Sequence, residues 1–264
     1  MATRRWSELA WPELAEQRDR GDGEVGLVPV GATEQHGPHL PLDTDTRIAN
    51  ALASGLVAAF DVDDPAASGS DAGARPGDTG AGPGGGAAVG GGAVPSMVVA
   101  PALAISASGE HGGFPGTLSL GTEVFEQVVV ELVRSADWSG GVVLVNGHGG
   151  NAQAVQRAVT TLTLEGRRVL SWWPRHPAGD AHAGRTETSL MLAIAPELVR
   201  TADARPGRTE ALRDLAEQLR TEGVRAVSPN GVLGDPTGAT AVEGRAVLTR
   251  WRIDLIAAVD EWWV

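Results

Sequence analysis

Four times in this chain a short apolar run gives way to a glycine-bearing loop and then to a helical pattern, and that order constrains the fold more than any other feature. VGLVPV at 25–30 is too short for a helix and leads into the loop 31–44. Over 45–60, Ile48, Leu52, Leu56 and Phe60 recur at helical spacing, giving one core-facing stripe with Asp45 in the positive first turn. A strand is predicted over 97–102, then the loop 106–121 and a helix over 122–138 with Thr122 or Gly121 as its cap. A third strand at 142–145 runs into Asn146-Gly-His-Gly-Gly-Asn151 and a helix over 152–165. A fourth at 168–173 precedes the loop PRHPAGDAHAG and a helix that begins near Arg185. Repeated β–loop–α units imply a mainly parallel sheet covered on both faces, a three-layer α/β/α sandwich.

Around these units lie a short helix at 12–20 and amphipathic helices at 208–222 and 242–263. The turn-rich SPNGVLGDPTGAT between the last two suggests a lid or a subunit contact. The segment 63–95 differs in kind: of its 33 residues 11 are Gly, 8 Ala and 4 Pro, with only Val89 and Val94 to bury. It is expected to be a disordered insertion in a single domain spanning 1–264, because so little apolar surface cannot offset the entropy of ordering. Its GAGPGGG lacks the flanking strand and helix that give a phosphate cradle meaning.

With 42% apolar residues the chain can bury a substantial core, and a net charge of −12 argues against a nucleic-acid partner. The opening MATRRWSELAWPELAEQ has no continuous apolar run, and no later run approaches the roughly 20 apolar residues of a membrane span. A cytoplasmic protein without membrane attachment is expected. Cysteine, tyrosine and lysine are all missing. That excludes thiol nucleophiles, Fe–S clusters, Schiff-base and P-loop lysines and a tyrosine acid, so acid–base work falls to His, Asp and Glu.

The densest supply of those groups is GATEQHGPHLPLDTDTR at 31–47, with Glu34, His36, His39, Asp43 and Asp45. Glycine and proline force a loop here, and loops at the carboxyl ends of parallel strands meet at one edge even when far apart in sequence. His148, His182 and Glu187 arrive in two other such loops. Carboxylates mixed with imidazoles suit Zn, Mn or Fe better than Ca. Two adjacent ions need a bridging carboxylate, and Asp45 is placed for it. His39 and Asp43 are expected to orient ligands, His176 to be structural or exposed, and Glu110 and His111 to contact substrate or to pack in a turn.

Glu34-Gln-His36 with Asp45 nearby, Asn146-Gly-His148 after a strand, FPGT at 114–117 and HAGRTETS at 182–189 together resemble the creatininase (creatinine amidohydrolase) family over nearly the whole chain outside 63–95. The resemblance implies two divalent ions (Zn, Fe or Mn) on Glu34, His36, Asp45 and His148, with Asp45 shared. Creatininase itself carries a metal-binding Glu two residues beyond its Asn-Gly-His histidine, where this chain has Gly150, which offers no ligand and is expected to leave room. Glu187 is therefore expected as the fifth ligand, and creatinine becomes a less suitable substrate. His182 resembles the family's catalytic imidazole, which carries a proton to the leaving nitrogen.

SASGEHGGFPGT and DAHAGRTETS resemble in particular the actinobacterial branch that matures mycofactocin. That implies a metal-dependent peptidase releasing the C-terminal Val-Tyr dipeptide from a modified precursor peptide, with Phe114, Trp172 or Trp173 available to stack on its ring. The alternative is hydrolysis of a small cyclic or formyl amide; a non-catalytic metal-dependent scaffold is the reading from a different class. A homo-oligomer, a hexamer by family resemblance, is also implied.

Overall fold

The computed structural model describes residues 4–19, 23–60, 96–175 and 180–264; the expected insertion at 63–95 and His176 lie outside them. Strands β1 (Val25–Val30), β2 (Met97–Val99), β3 (Gly141–Asn146) and β4 (Val169–Trp172) form a parallel sheet in the order β2-β1-β3-β4. Val25 pairs with Met97 on one side and Gly141 on the other, and Val142 pairs with Val169. All four carboxyl ends therefore open on one edge. The strand predicted at 97–102 stops at Val99 because Pro101 has no N–H to give the ladder. Pairing resumes past it, where Leu103 N–H donates to the Pro29 carbonyl (2.9 Å).

Period-two alternation along buried strands divides the core. Val25, Leu27, Val143 and Val145 face helices α2 (Thr44–Phe60), α5 (Arg185–Ile194) and α8 (Ala241–Trp263), packing on Ile48, Leu52, Leu56, Leu190 and Leu255. Val28, Val30, Val142 and Leu144 face α3 (Thr122–Ser135) and α4 (Ala152–Leu164), meeting Phe125, Val129, Val155 and Leu162. The result is the expected three-layer α/β/α sandwich. Helix α1 (Trp11–Asp19) begins the chain, and α6 (Leu212–Glu222) and α7 (Val224–Val227) flank the sheet's carboxyl edge.

One expected boundary moves. The helix predicted from 208 starts at Leu212, because Arg208 N–H is already donated to the Val232 carbonyl (3.1 Å). The same pairing, with Leu233 N–H donating to the His182 carbonyl (2.8 Å), ties 231–234 into the protein. Leu233 in that stretch lines a cleft. Among the described residues no helix is long and apolar enough to cross a membrane.

Candidate metal centre

The loop leaving β1 carries Glu34 and His36, and it folds back because Glu34 N–H donates to the Leu42 carbonyl (3.0 Å). This sets Glu34 beside the first turn of α2, where the helix dipole favours the Asp45 carboxylate. The loop after β3 presents His148. Asn146 Nδ2 donates to the His148 carbonyl (2.8 Å), and Asn151 Nδ2 donates to Asn146 Oδ1 (3.1 Å). Beyond β4, Asp180 accepts from the N–H groups of Arg185 and Thr186 and so caps α5, whose first turn holds Glu187. His182 precedes that helix, next to Ala183 at φ 51, a left-handed conformation unusual for a residue with a Cβ.

Asp45 stands at the centre. Its Oδ1 lies 3.0 Å from His36 Nε2 and its Oδ2 3.1 Å from His148 Nδ1. Glu34 Oε2 is 3.3 Å from His148 Nε2, while Oε1 is 3.2 Å from His111 Nε2 and 3.7 Å from His182 Nδ1. Glu187 Oε2 approaches His36 Nε2 at 3.9 Å. Among the described residues three sets of donor atoms are each compact enough to share an ion: Glu34, Asp45 and His148; His36, Asp45 and Glu187; and Glu34, His36 and His182. Glu34 is fully buried, and its oxygens face imidazoles at 3.2–3.7 Å without a well-aligned hydrogen bond. A buried carboxylate left so is costly without a cation, and a mixed oxygen and nitrogen donor set fits a divalent transition metal.

Charge is unevenly distributed in the metal-free cluster. Burial works against a charged His36, but the adjacent Asp45 carboxylate outweighs it and raises the imidazole to about 10. His148 is raised to about 10 against the same burial penalty by Glu34 and Asp45. Asp45 is held below the ordinary carboxylate range: burial opposes this, and the His36 and His148 charges override it. Burial pushes Glu34 up to about 8 and Glu187 up to about 7. Burial, reinforced by neighbouring imidazolium charge, lowers His111 to about 3, His39 to about 4 and His182 well below its usual value. Ligation requires neutral imidazoles and ionised carboxylates, so metal uptake must expel protons.

Glu34, His36, Asp45, His148, His182 and Glu187 thus come together in one cluster. His111 joins them as a buried neighbour of Glu34 that also lines the cleft. Glu110 lies at the cleft with Oε1 3.6 Å from His148 Nε2. The position expected to stand open at Gly150 is filled: a Cβ there would lie 2.3 Å from Glu110 Oε1 and 2.4 Å from His148 Nε2. Asp43 does not orient a ligand; it pairs with Arg47 one turn on, its Oδ1 accepting from Nε at 2.8 Å. His39 Nε2 meets Thr188 Oγ1 at 2.9 Å, one residue beyond Glu187.

The cleft has two arms, about 980 and 860 Å³, that meet at His148 and Glu187. The larger is walled by α6 and α7, and the smaller includes Trp173. Trp172 points the other way, into the core, with Nε1 donating to Asp254 Oδ2 (2.9 Å). Phe114 packs under the Arg225 guanidinium, 5.7 Å from its ring centre, and lines neither arm. Gln35, Ser108 and Asn151, all buried around the cluster, carry no sequence signal that marks them beforehand.

A parallel α/β/α sandwich with a buried His/Asp/Glu cluster at its carboxyl edge is the architecture of an α/β protein with a candidate metal site. The family model for creatinine amidohydrolase matches residues 7–259, and the chain belongs to the creatininase family. It is 49% identical over 223 residues to the mycofactocin precursor peptide peptidase of Mycolicibacterium smegmatis, covering 84% of this chain and 78% of that protein. Identity to the creatinine amidohydrolase of Pseudomonas putida is 27% over 225 residues, covering 73% and 72% of the two chains. A crystal structure of creatininase superposes with a TM-score of 0.70 at 22% identity, over 98% of this chain and 97% of that one.

Proposed function

We propose that this chain is a dinuclear metallopeptidase that releases the C-terminal Val-Tyr dipeptide from the modified mycofactocin precursor peptide. The observation that carries the chemistry is Asp45, whose two oxygens face two different ligand sets. The substrate follows from the 49% identity to a peptidase of that name. Glu34, Asp45 and His148 would hold one ion, and His36, Asp45 and Glu187 the other, with Zn, Fe and Mn all suited to these donors. When bound, such ions polarise a carbonyl and lower the pKa of water toward about 7.

The protein's own residues do the rest. His182 Nε2 lies 2.8 Å from the Gln35 carbonyl and donates to it, which leaves Nδ1 bare and directed into the cluster. The neutral imidazole takes a proton from the attacking water and passes it to the leaving nitrogen as the C–N bond breaks. Oxygen from water stays on the carbonyl carbon, and the proton ends on the released amine. Glu110 and Trp173 on the cleft walls contact the peptide. We place the enzyme in the cytoplasm as a homo-oligomer, following the family resemblance.

Incubation of the metal-loaded protein with modified precursor peptide, followed by mass spectrometry, tests this reading. Release of the dipeptide is expected, with His182→Ala slower by about 10²–10⁴-fold while metal content is retained. Hydrolysis of creatinine or a formyl amide with the peptide untouched would replace it by the small-amide alternative suggested by the Pseudomonas putida relative.

A further inference from the structure

Between Glu34 and His36 lies Gln35, which belongs to none of the three ligand sets and is 5% exposed. Its side-chain amide is fixed in orientation by the backbone on either side. Oε1 accepts from Gly37 N–H (2.9 Å), and Nε2 donates to the Gly231 carbonyl (3.0 Å). A flipped amide would set donor against donor and acceptor against acceptor. Gly231, at φ +79, is a glycine for the same reason: a Cβ there would lie 1.8 Å from Gln35 Oε1.

Nε2 has a second N–H to place. It lies 2.9 Å from His111 Nδ1 and 3.1 Å from His182 Nε2. The second contact cannot receive it, because His182 Nε2 already carries a proton donated to the Gln35 carbonyl at 2.8 Å. The amide proton therefore goes to His111 Nδ1. With Nδ1 accepting, the His111 proton resides on Nε2, where it faces Glu34 Oε1 at 3.2 Å.

We propose that Gln35 is a positioning residue that sets the tautomers of two imidazoles at once, its backbone carbonyl holding His182 as the Nε2–H form and its side-chain amide holding His111 as the Nε2–H form. The two rings then do opposite things. His182 turns a bare Nδ1 toward the cluster, whereas His111 turns an N–H toward the Glu34 carboxylate. Such outer hydrogen bonds orient a site without touching substrate, and removing one costs about 10–100-fold in metal affinity or activity. The tautomer assignment is independent of the peptide substrate; only its kinetic consequence rests on the peptidase reading.

Long-range ¹H–¹⁵N spectra of the histidine-labelled protein, metal-free and zinc-loaded, measure the tautomers directly, with His111→Asn and His182→Asn used to assign the signals. Both rings should show Nε2–H in the wild type, and a wild-type His111 carrying its proton on Nδ1 would overturn the proposal. Gln35→Glu keeps the acceptor for Gly37 N–H but presents His111 with an acceptor, so it should move a proton onto His111 Nδ1 while His182 is unchanged. Gln35→Leu should lose the His111 preference, with kcat down about 10–100-fold and KM little altered. If Gln35→Leu left the His111 signal unmoved, the amide would not be setting it; if no peptide were cleaved by any form, the spectra would still decide.

Discussion

Strand β1 has a buried glutamate near each end, and they are treated in opposite ways. Glu24, 1% exposed just before the strand, is partnered through one oxygen: Oε1 takes the Arg4 guanidinium and accepts from Ser96 Oγ (2.8 Å), while the buried Oε2 accepts no hydrogen bond. Glu34, fully buried four residues after the strand, faces three imidazoles and meets no well-aligned donor. One end of the strand closes a seam in the fold. The other holds a carboxylate whose missing partner is a cation. Burial alone does not distinguish structural from functional carboxylates in this protein; what each oxygen meets does.

Exchanging the two carboxylates for amides gives the sharpest contrast. Glu34→Gln should empty the site it shares with Asp45 and His148 yet leave the apo fold at least as stable, since a buried group that resists ionisation is replaced by a neutral one. Glu24→Gln should leave metal content intact and cost about 1–3 kcal/mol by stranding Arg4. Elemental analysis and chemical denaturation of both variants check this, and a loss of metal in Glu24→Gln would erase the distinction. Gly150→Ala comes next, because the added methyl must displace Glu110 or His148. A fall in metal affinity of about 10–100-fold is expected, read by chelator competition.

A smaller effect separates apo from metal-loaded protein by pH. His36 and His148, raised to about 10, contribute stability that is complete below about 6.5 and is lost as pH climbs through 10. Glu34, raised to about 8, is penalised as it ionises, so it acts in the same direction above its ordinary range near 4.5. His39, His111 and His182 are lowered and already neutral in the folded protein, so they oppose this only through the tail of their unfolded titration around 6.5, which fades as pH rises above 7. The folded apo protein therefore holds more protons than the unfolded chain between pH 7 and 9. Its melting temperature should fall across that interval, while the metal-loaded protein, freed from proton competition, should fall less or rise.

Much of the framework is readable from sequence for simple reasons. Apolar runs bounded by glycine loops mark β1, β3 and β4, and parallel topology alone brings residues 34–45, 148 and 182–187 to one edge. What escapes such reading depends on single contacts across the chain. Trp172 and Trp173 are adjacent and alike in sequence, but alternation at the end of β4 sends one into the core and the other to the cleft. Asp43 looks like its neighbour Asp45, yet an arginine at helical spacing claims it. Gln35 is joined to partners 76, 147 and 196 positions away, and nothing local announces them. Gly150 reads as an open position only until Glu110, from a loop forty residues earlier, is seen to fill it.

If Asp45 bridges two metal ions, metal stoichiometry in two alanine variants must show it. Purified wild-type protein should hold two divalent ions per chain. Asp45→Ala should hold none, because each ligand set loses a member, whereas His148→Ala should keep the ion bound by His36, Asp45 and Glu187. Full metal content in Asp45→Ala, with circular dichroism showing an intact fold, would contradict the account.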